Sequence, residues 1–128
     1  MSTPTPFSAA TPVPEDRLFA FQKPSTEYSA ALVVIRDSGF FGGKCYHAFW
    51  IDGVLAAKID PEETATFYVK PGEHLLRVGN VGAGLCVRFA ENWTQRETSV
   101  LPGQRKFFRD VWLPQDGNAD IFPIEGPR

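Results

Sequence analysis

Several absences narrow the reading before any motif is sought. No apolar run approaches the ~20 residues that a membrane-spanning helix needs, so no transmembrane segment is expected in this chain. The 13 Lys and Arg are scattered among 15 Asp and Glu, for a net charge of −2. A nucleic-acid surface would gather its basic residues into a stripe, so DNA and RNA are not expected partners. Cys-x-x-Cys spacing is missing and only His47 and His74 are present, which leaves no ligand set for a metal. No cofactor is expected. Nor does a signal peptide open the chain, because Met1 leads directly into Ser2-Thr3-Pro4-Thr5-Pro6. Either the protein is cytoplasmic or a leader has been cut away.

What remains is turn chemistry and aromatic side chains. At 128 residues the chain suits one domain with a single core. Its 11 Phe favour strands, and 11 Gly with 11 Pro call for many turns. The Ser/Thr/Ala/Pro tract up to about Pro14 has little to bury, so residues 1–16 are expected to be a disordered tether. Glu15 to Phe21 reads as a short helical turn or an edge segment. The domain proper then spans 17–128.

Strand signals begin at Ala31-Leu32-Val33-Val34-Ile35-Arg36, an apolar run suited to burial on both faces. A Gly-rich loop, Asp37 to Lys44, follows. Cys45 to Ile51 turns at Asp52-Gly53 into Val54 to Ile59, the strongest hairpin signal in the chain. Asp60-Pro61-Glu62-Glu63 interrupts, and Thr64 to Lys70 resumes the pairing. Pro71-Gly72 leads into Glu73 to Val78, Gly79 to Gly84 forms a loop, and Leu85 to Ala90 is a further strand. Arg96 to Leu101, Pro102-Gly103 and Gln104 to Trp112 repeat the hairpin grammar, and Ile121 to Ile124 ends the series. About eight short strands with turns every 8–12 residues describe an all-β antiparallel sandwich or barrel.

Candidate sites are few. Cys45 and Cys86 are the only cysteines, and an even pair without metal spacing is the usual oxidised pattern. The alternative is two unrelated buried thiols. A bridge closing this loop of about 42 residues would contribute roughly 4 kcal/mol in the chain-entropy model. His47 shares strand parity with Cys45, Phe49 and Ile51, which makes it a structural histidine. Asp37, Ser38 and His47 have the residue types of a hydrolase triad, yet no Gly-x-Ser-x-Gly elbow surrounds Ser38. Ser38 reads as a turn residue, and Asp37 as a loop cap or the partner of Arg36. Glu62-Glu63 are adjacent on a turn and point apart. Gly79-Asn80-Val81-Gly82-Ala83-Gly84 lacks the Lys-Ser/Thr ending and the following helix of a phosphate loop. Catalysis is not expected. Phe40-Phe41, between glycines, and Trp93 are the expected partner-binding residues, because aromatic loop residues anchor interfaces. Trp50 and Trp112 are expected in the core.

Phe49-Trp50-Ile51-Asp52-Gly53, followed by Thr66 to Lys70 and Pro71-Gly72-Glu73-His74-Leu75-Leu76-Arg77-Val78, resembles the PEGA pattern. That pattern is an x-I-D-G strand, a second strand, and a P-G-x-H turn into a third. With Arg36 to Phe40, Cys45 and Gly84-Leu85-Cys86, the frame is similar to small proteobacterial envelope lipoprotein domains of unknown function, over about 17–124. The resemblance implies an Ig-like or PEGA-like β-sandwich in the periplasm, tethered by a lipidated cysteine in the natural precursor, and it supports a Cys45–Cys86 bridge. No lipobox Cys precedes the Pro-rich tract here; if Met1 is the natural start, the chain is cytoplasmic. The expected function is non-enzymatic binding of an envelope protein or cell-wall component through loops. The alternative is an immunity or inhibitor protein that occludes a secreted toxin or hydrolase.

Overall fold

The computed structural model describes residues 2–39, 45–82, 86, 93–113 and 117–127. These form an all-β structure of two main sheets. In chain order the strands are β1 (Ser2–Thr3), β2 (Thr11–Pro12), β3 (Ala30–Arg36), β4 (Ser38–Gly39), β5 (Tyr46–Ile51), β6 (Val54–Ile59) and β7 (Glu63–Val69). They continue with β8 (Gly72–Val81), β9 (Trp93–Val100), β10 (Arg105–Leu113) and β11 (Asn118–Ile124). One sheet runs β11-β10-β3-β7-β2, the other β6-β5-β8-β9, and β1 pairs with β4 alone. The strands therefore outnumber the eight expected, because the N-terminal tract adds short ones. The larger sheet is also mixed: β10 pairs β3, and β2 pairs β7, in parallel. Parallel neighbours need a long connection, and here the whole four-stranded sheet lies between β3 and β10 in the chain.

Asp52-Gly53 makes the hairpin it predicts, between β5 and β6. Both residues have positive φ, 51° and 81°, which matches the twist of a two-residue hairpin. The other turn signals do something different. Asp60 to Glu63, Pro71-Gly72 and Pro102-Gly103 each carry the chain from one sheet to the other, since β6 and β7, β7 and β8, and β9 and β10 are not paired. Turn residues specify a reversal; side-chain burial then selects the partner. Motif residues meet across one of these corners. Asp52 accepts from the backbone N–H of Leu75 at 2.8 Å and from His74 Nδ1 at 2.7 Å. His74 Nε2 lies 2.6 Å from the carbonyl of Lys70, so both bonds form together only when the ring carries both protons.

One core joins the inward faces of both sheets. Leu32, Val34, Phe67, Val69, Phe108, Trp112 and Ile121 come from the five-stranded sheet, and Phe49, Ile51, Ile59, Leu76, Val78 and Val100 from the other. The Phe49 and Phe67 rings meet at 5.1 Å. Trp112 is core as expected, whereas Trp50 is half-buried on the opposite face of its sheet. Every residue of β3 is buried, which agrees with its unbroken apolar run.

Residues 1–16, expected as a disordered tether, contact the sheets over their described part. Thr5 and Val13 are buried, and Thr5 Oγ1 donates to the Arg36 carbonyl at 2.7 Å. Phe7 meets Phe107 edge-on at 5.6 Å, and the N–H groups of Thr11 and Val13 bond to the carbonyls of Glu62 and Thr64. Composition undervalued the tract because a proline-rich chain matches a sheet edge, where a missing N–H costs least. The segment then continues as a strap over both sheet edges. Leu18 bridges to Ala57 on β6, Phe19 N–H donates to the Ala56 carbonyl, and Tyr68 N–H on β7 donates to the Phe21 carbonyl, both at 2.8 Å. Arg17 fixes the strap with paired 2.7 Å bonds to Glu63. On the other flank β9 and β11 are tied by side chains: Arg96 to Asp120 at 2.9 Å twice, and Thr94 Oγ1 to the Ala119 carbonyl at 2.7 Å. Strand edges that would otherwise template aggregation are covered.

Candidate binding surface

The strap creates an open concavity. Leu18 and Phe21 turn inward and pack on the core, while Phe19 is 49% exposed. Phe21 has φ 63°, a conformation that costs a non-glycine residue roughly 1–3 kcal/mol. Its burial against the core and the bond from Tyr68 hold it there. Between strap and sheet lies an open groove of about 770 Å³, walled by Leu18, Phe19, Phe21, Tyr28 and Tyr68, with Glu15, Gln22 and Lys23 at its polar rim. That volume falls within the range of ligand clefts, ~300–1,000 Å³. Cations brace the aromatic wall: Lys58 sits 6.0 Å from the Phe19 ring centre and Lys70 5.6 Å from that of Tyr28. Lys70 also pairs with Glu27 at 2.8 Å. No sequence motif marked these residues, because the groove is assembled from a strap and a strand about 40 positions apart in the chain.

The residues singled out from the sequence scatter. Phe40 and Phe41 lie outside the described residues, as does the strand expected over 85–90 apart from Cys86. Trp93 is exposed at the start of β9, stacked on Arg77. Cys45 and Cys86 form a disulfide, with Cα atoms 5.5 Å apart, that ties the residue before β5 to the segment after β8. Gly79 to Val81, expected in a loop, belong to β8. The three triad types each have other partners. Ser38 Oγ donates to the Thr3 carbonyl at 3.2 Å, Asp37 is held by both Nε and Nη2 of Arg109 at 2.6 Å, and His47 Nδ1 meets Asp110 Oδ1 at 2.7 Å. Asp37, expected as a loop cap or the partner of Arg36, thus forms its ion pair with Arg109.

His47 and Asp110 belong to a buried polar layer between the sheets. Both are fully buried, with Asn80 beside His47 in register on β8 and Arg36 beside Asp110 on β3. Arg36 Nη1 donates to the carbonyls of Cys45 and Ile59 at 2.7 and 2.6 Å. Burial pushes the His47 pKa down; Asp110 opposes that shift and Arg36 adds to it. Burial likewise lowers the Arg36 pKa, against the attraction of Asp110. His47 Nε2, Asp110 Oδ2 and both amide atoms of Asn80 have no hydrogen-bond partner among the described residues. The sequence signal for this layer was Phe108-Asp110-Trp112, an acid set into an inward-facing alternation. It was overlooked because a charge in a strand is more often on the solvent side.

Comparison with known family models and with curated proteins finds no match. Among the described residues, no helix is long and apolar enough to cross a membrane, and no three His, Cys, Asp or Glu gather as a metal site would require.

Proposed function

We propose that this chain is a non-enzymatic binding domain of the cell envelope, an Ig-like or PEGA-like β-sandwich that holds an extended apolar segment of another protein in the strap groove. The groove carries the reading: four aromatic side chains and a leucine line one open cleft, Phe19 stays half-exposed at its lip, and the strap that forms it is pinned by Arg17 and strained at Phe21. Rigid aromatic walls bind at low entropic cost and are enriched among interface anchors. Two observations support the envelope assignment. The Cys45–Cys86 bridge suits an oxidising compartment, and the Asp52–His74 bond links the two halves of the PEGA-like pattern.

Photo-crosslinking in the host cell tests the site. A benzoylphenylalanine at position 19 should yield one discrete protein adduct, while the same group at Ser99, on exposed β9, should not. Adducts from both positions, or from neither, refute the groove. Alkylation of intact cells before reduction tests the location: the linked peptide pair is expected, and two alkylated thiols would refute it. Loss of an enzyme's activity in the crosslinked complex would make the domain an inhibitor.

A further inference from the structure

The outer face of the four-stranded sheet carries a second, independent feature. Leu55, Trp50, Arg77 and Gln95 stand in one row across β6, β5, β8 and β9, and Ala48, Gly79 and Trp93 form the next row. The guanidinium carbon of Arg77 is 4.7 Å from the Trp50 ring centre and 4.1 Å from that of Trp93. The cation is thus held between two indoles. Its Nε is shut off from solvent without a hydrogen-bond partner, and among the described residues no carboxylate pairs with it. Glu73 and Glu97 share this face but are exposed and extend into water.

An arginine placed in this way is fixed by stacking and left unneutralised. Stacking on each ring is worth about 0.5–1 kcal/mol at an exposed site and more when desolvated, so the fork is pre-oriented before any ligand arrives. A planar guanidinium edge matches a carboxylate. Beside it the face carries exposed apolar surface: Trp93 is 41% and Leu75 38% exposed. Gln95, directly across from Arg77, adds an amide donor and acceptor. A ligand fitting all three parts has a carboxylate, a flat apolar C–H face and hydroxyl groups. A nucleic acid fits poorly, because its phosphates call for a run of cations and this row holds one, Arg77.

We infer that the Trp50–Arg77–Trp93 row is a binding site for a carboxylate-bearing saccharide, with the acid on the Arg77 guanidinium and the sugar ring against Trp93. The inference does not depend on the groove. The test is titration of the whole chain with trigalacturonate, followed by tryptophan emission and calorimetry, beside neutral chitotriose and a tri-glutamate peptide. A saturable change is expected with the acidic sugar, and at least tenfold weaker binding of the other two. Arg77→Gln, Arg77→Lys and Trp93→Ala should each weaken binding at least tenfold, about 1.4 kcal/mol, with the circular dichroism spectrum retained, while Phe19→Ser should bind as the parent does. Arg77→Lys covers the case in which Arg77→Gln does not fold, since it keeps stem and charge but loses the fork. No saturable change with trigalacturonate, equal binding of the neutral sugar or the peptide, or undiminished binding by the folded variants would overturn the assignment.

Discussion

Asp110→Ala should be among the most damaging single substitutions in this chain, and more damaging than removal of its histidine partner. Asp110 is fully buried, accepts a 2.7 Å bond from His47, and is the strongest electrostatic support of buried Arg36. Removing it takes away the largest of several carboxylate attractions on the Arg36 guanidinium and leaves an imidazole N–H without its acceptor. Breaking a buried pair from one side costs about 3–5 kcal/mol, against a total stability on the order of 5–15 kcal/mol for a domain. At roughly 4 °C per kcal/mol for a chain of this size, the melting temperature should fall by about 12–20 °C. His47→Leu removes the same hydrogen bond but leaves Asp110 facing Arg36, and it also deletes a buried Nε2 that has no partner among the described residues. Its cost should be about 1–2 kcal/mol. Asp110→Asn, which keeps an acceptor without the charge, should fall between the two. Urea unfolding at pH 7.5, followed by circular dichroism, measures all three. Equal losses for Asp110→Ala and His47→Leu, or the reverse order, would show that the charge of Asp110 does not sustain Arg36.

Stability should also fall on mild acidification. Burial lowers the His47 pKa in the folded protein, so below the ordinary imidazole value of about 6.5 the unfolded chain binds more protons than the native one. The contribution is complete above that value and is lost as pH drops from it toward the folded pKa. Unfolding titrations between pH 7.5 and 5 should show this decline, and His47→Leu should flatten it; a parent chain that gains stability over the same range contradicts the buried neutral ring. Reducing Cys45–Cys86, which are separated by 41 positions, should lower the unfolding free energy by roughly 4 kcal/mol on loop entropy. Paired urea curves with and without reductant read this directly, and an unchanged midpoint would rule out a stabilising bridge.

Much of the fold was legible in local chemistry. Asp52-Gly53 fixes its own hairpin because only a primed turn matches strand twist, and two consecutive positive φ values select for such residues. The seven buried residues of β3 follow from an apolar run without alternation. Cys45 and Cys86, an even pair without metal spacing, pointed to a bridge with two separate buried thiols as the alternative, and the bridge is what forms. The alternation of Cys45, His47, Phe49 and Ile51 assigns His47 to the same sheet face as these residues, and all four are buried.

What the chain does with these pieces depended on tertiary context. Pro71-Gly72 and Pro102-Gly103 reverse the chain as their chemistry requires, yet each passes between sheets, because the strand that follows must bury its apolar side against the common core. The Pro-rich N-terminus is extended by local preference, and only the exposed edge of β7 turns that extension into pairing. The groove, the Asp110–His47–Arg36 layer and the Trp50–Arg77–Trp93 row each unite residues far apart in sequence. Side chains in such groups interact across strands, and a strand's neighbours are set by burial and register summed over the whole chain. Local sequence determines where the chain extends and turns; the packing of two sheets around one core decides which side chains meet.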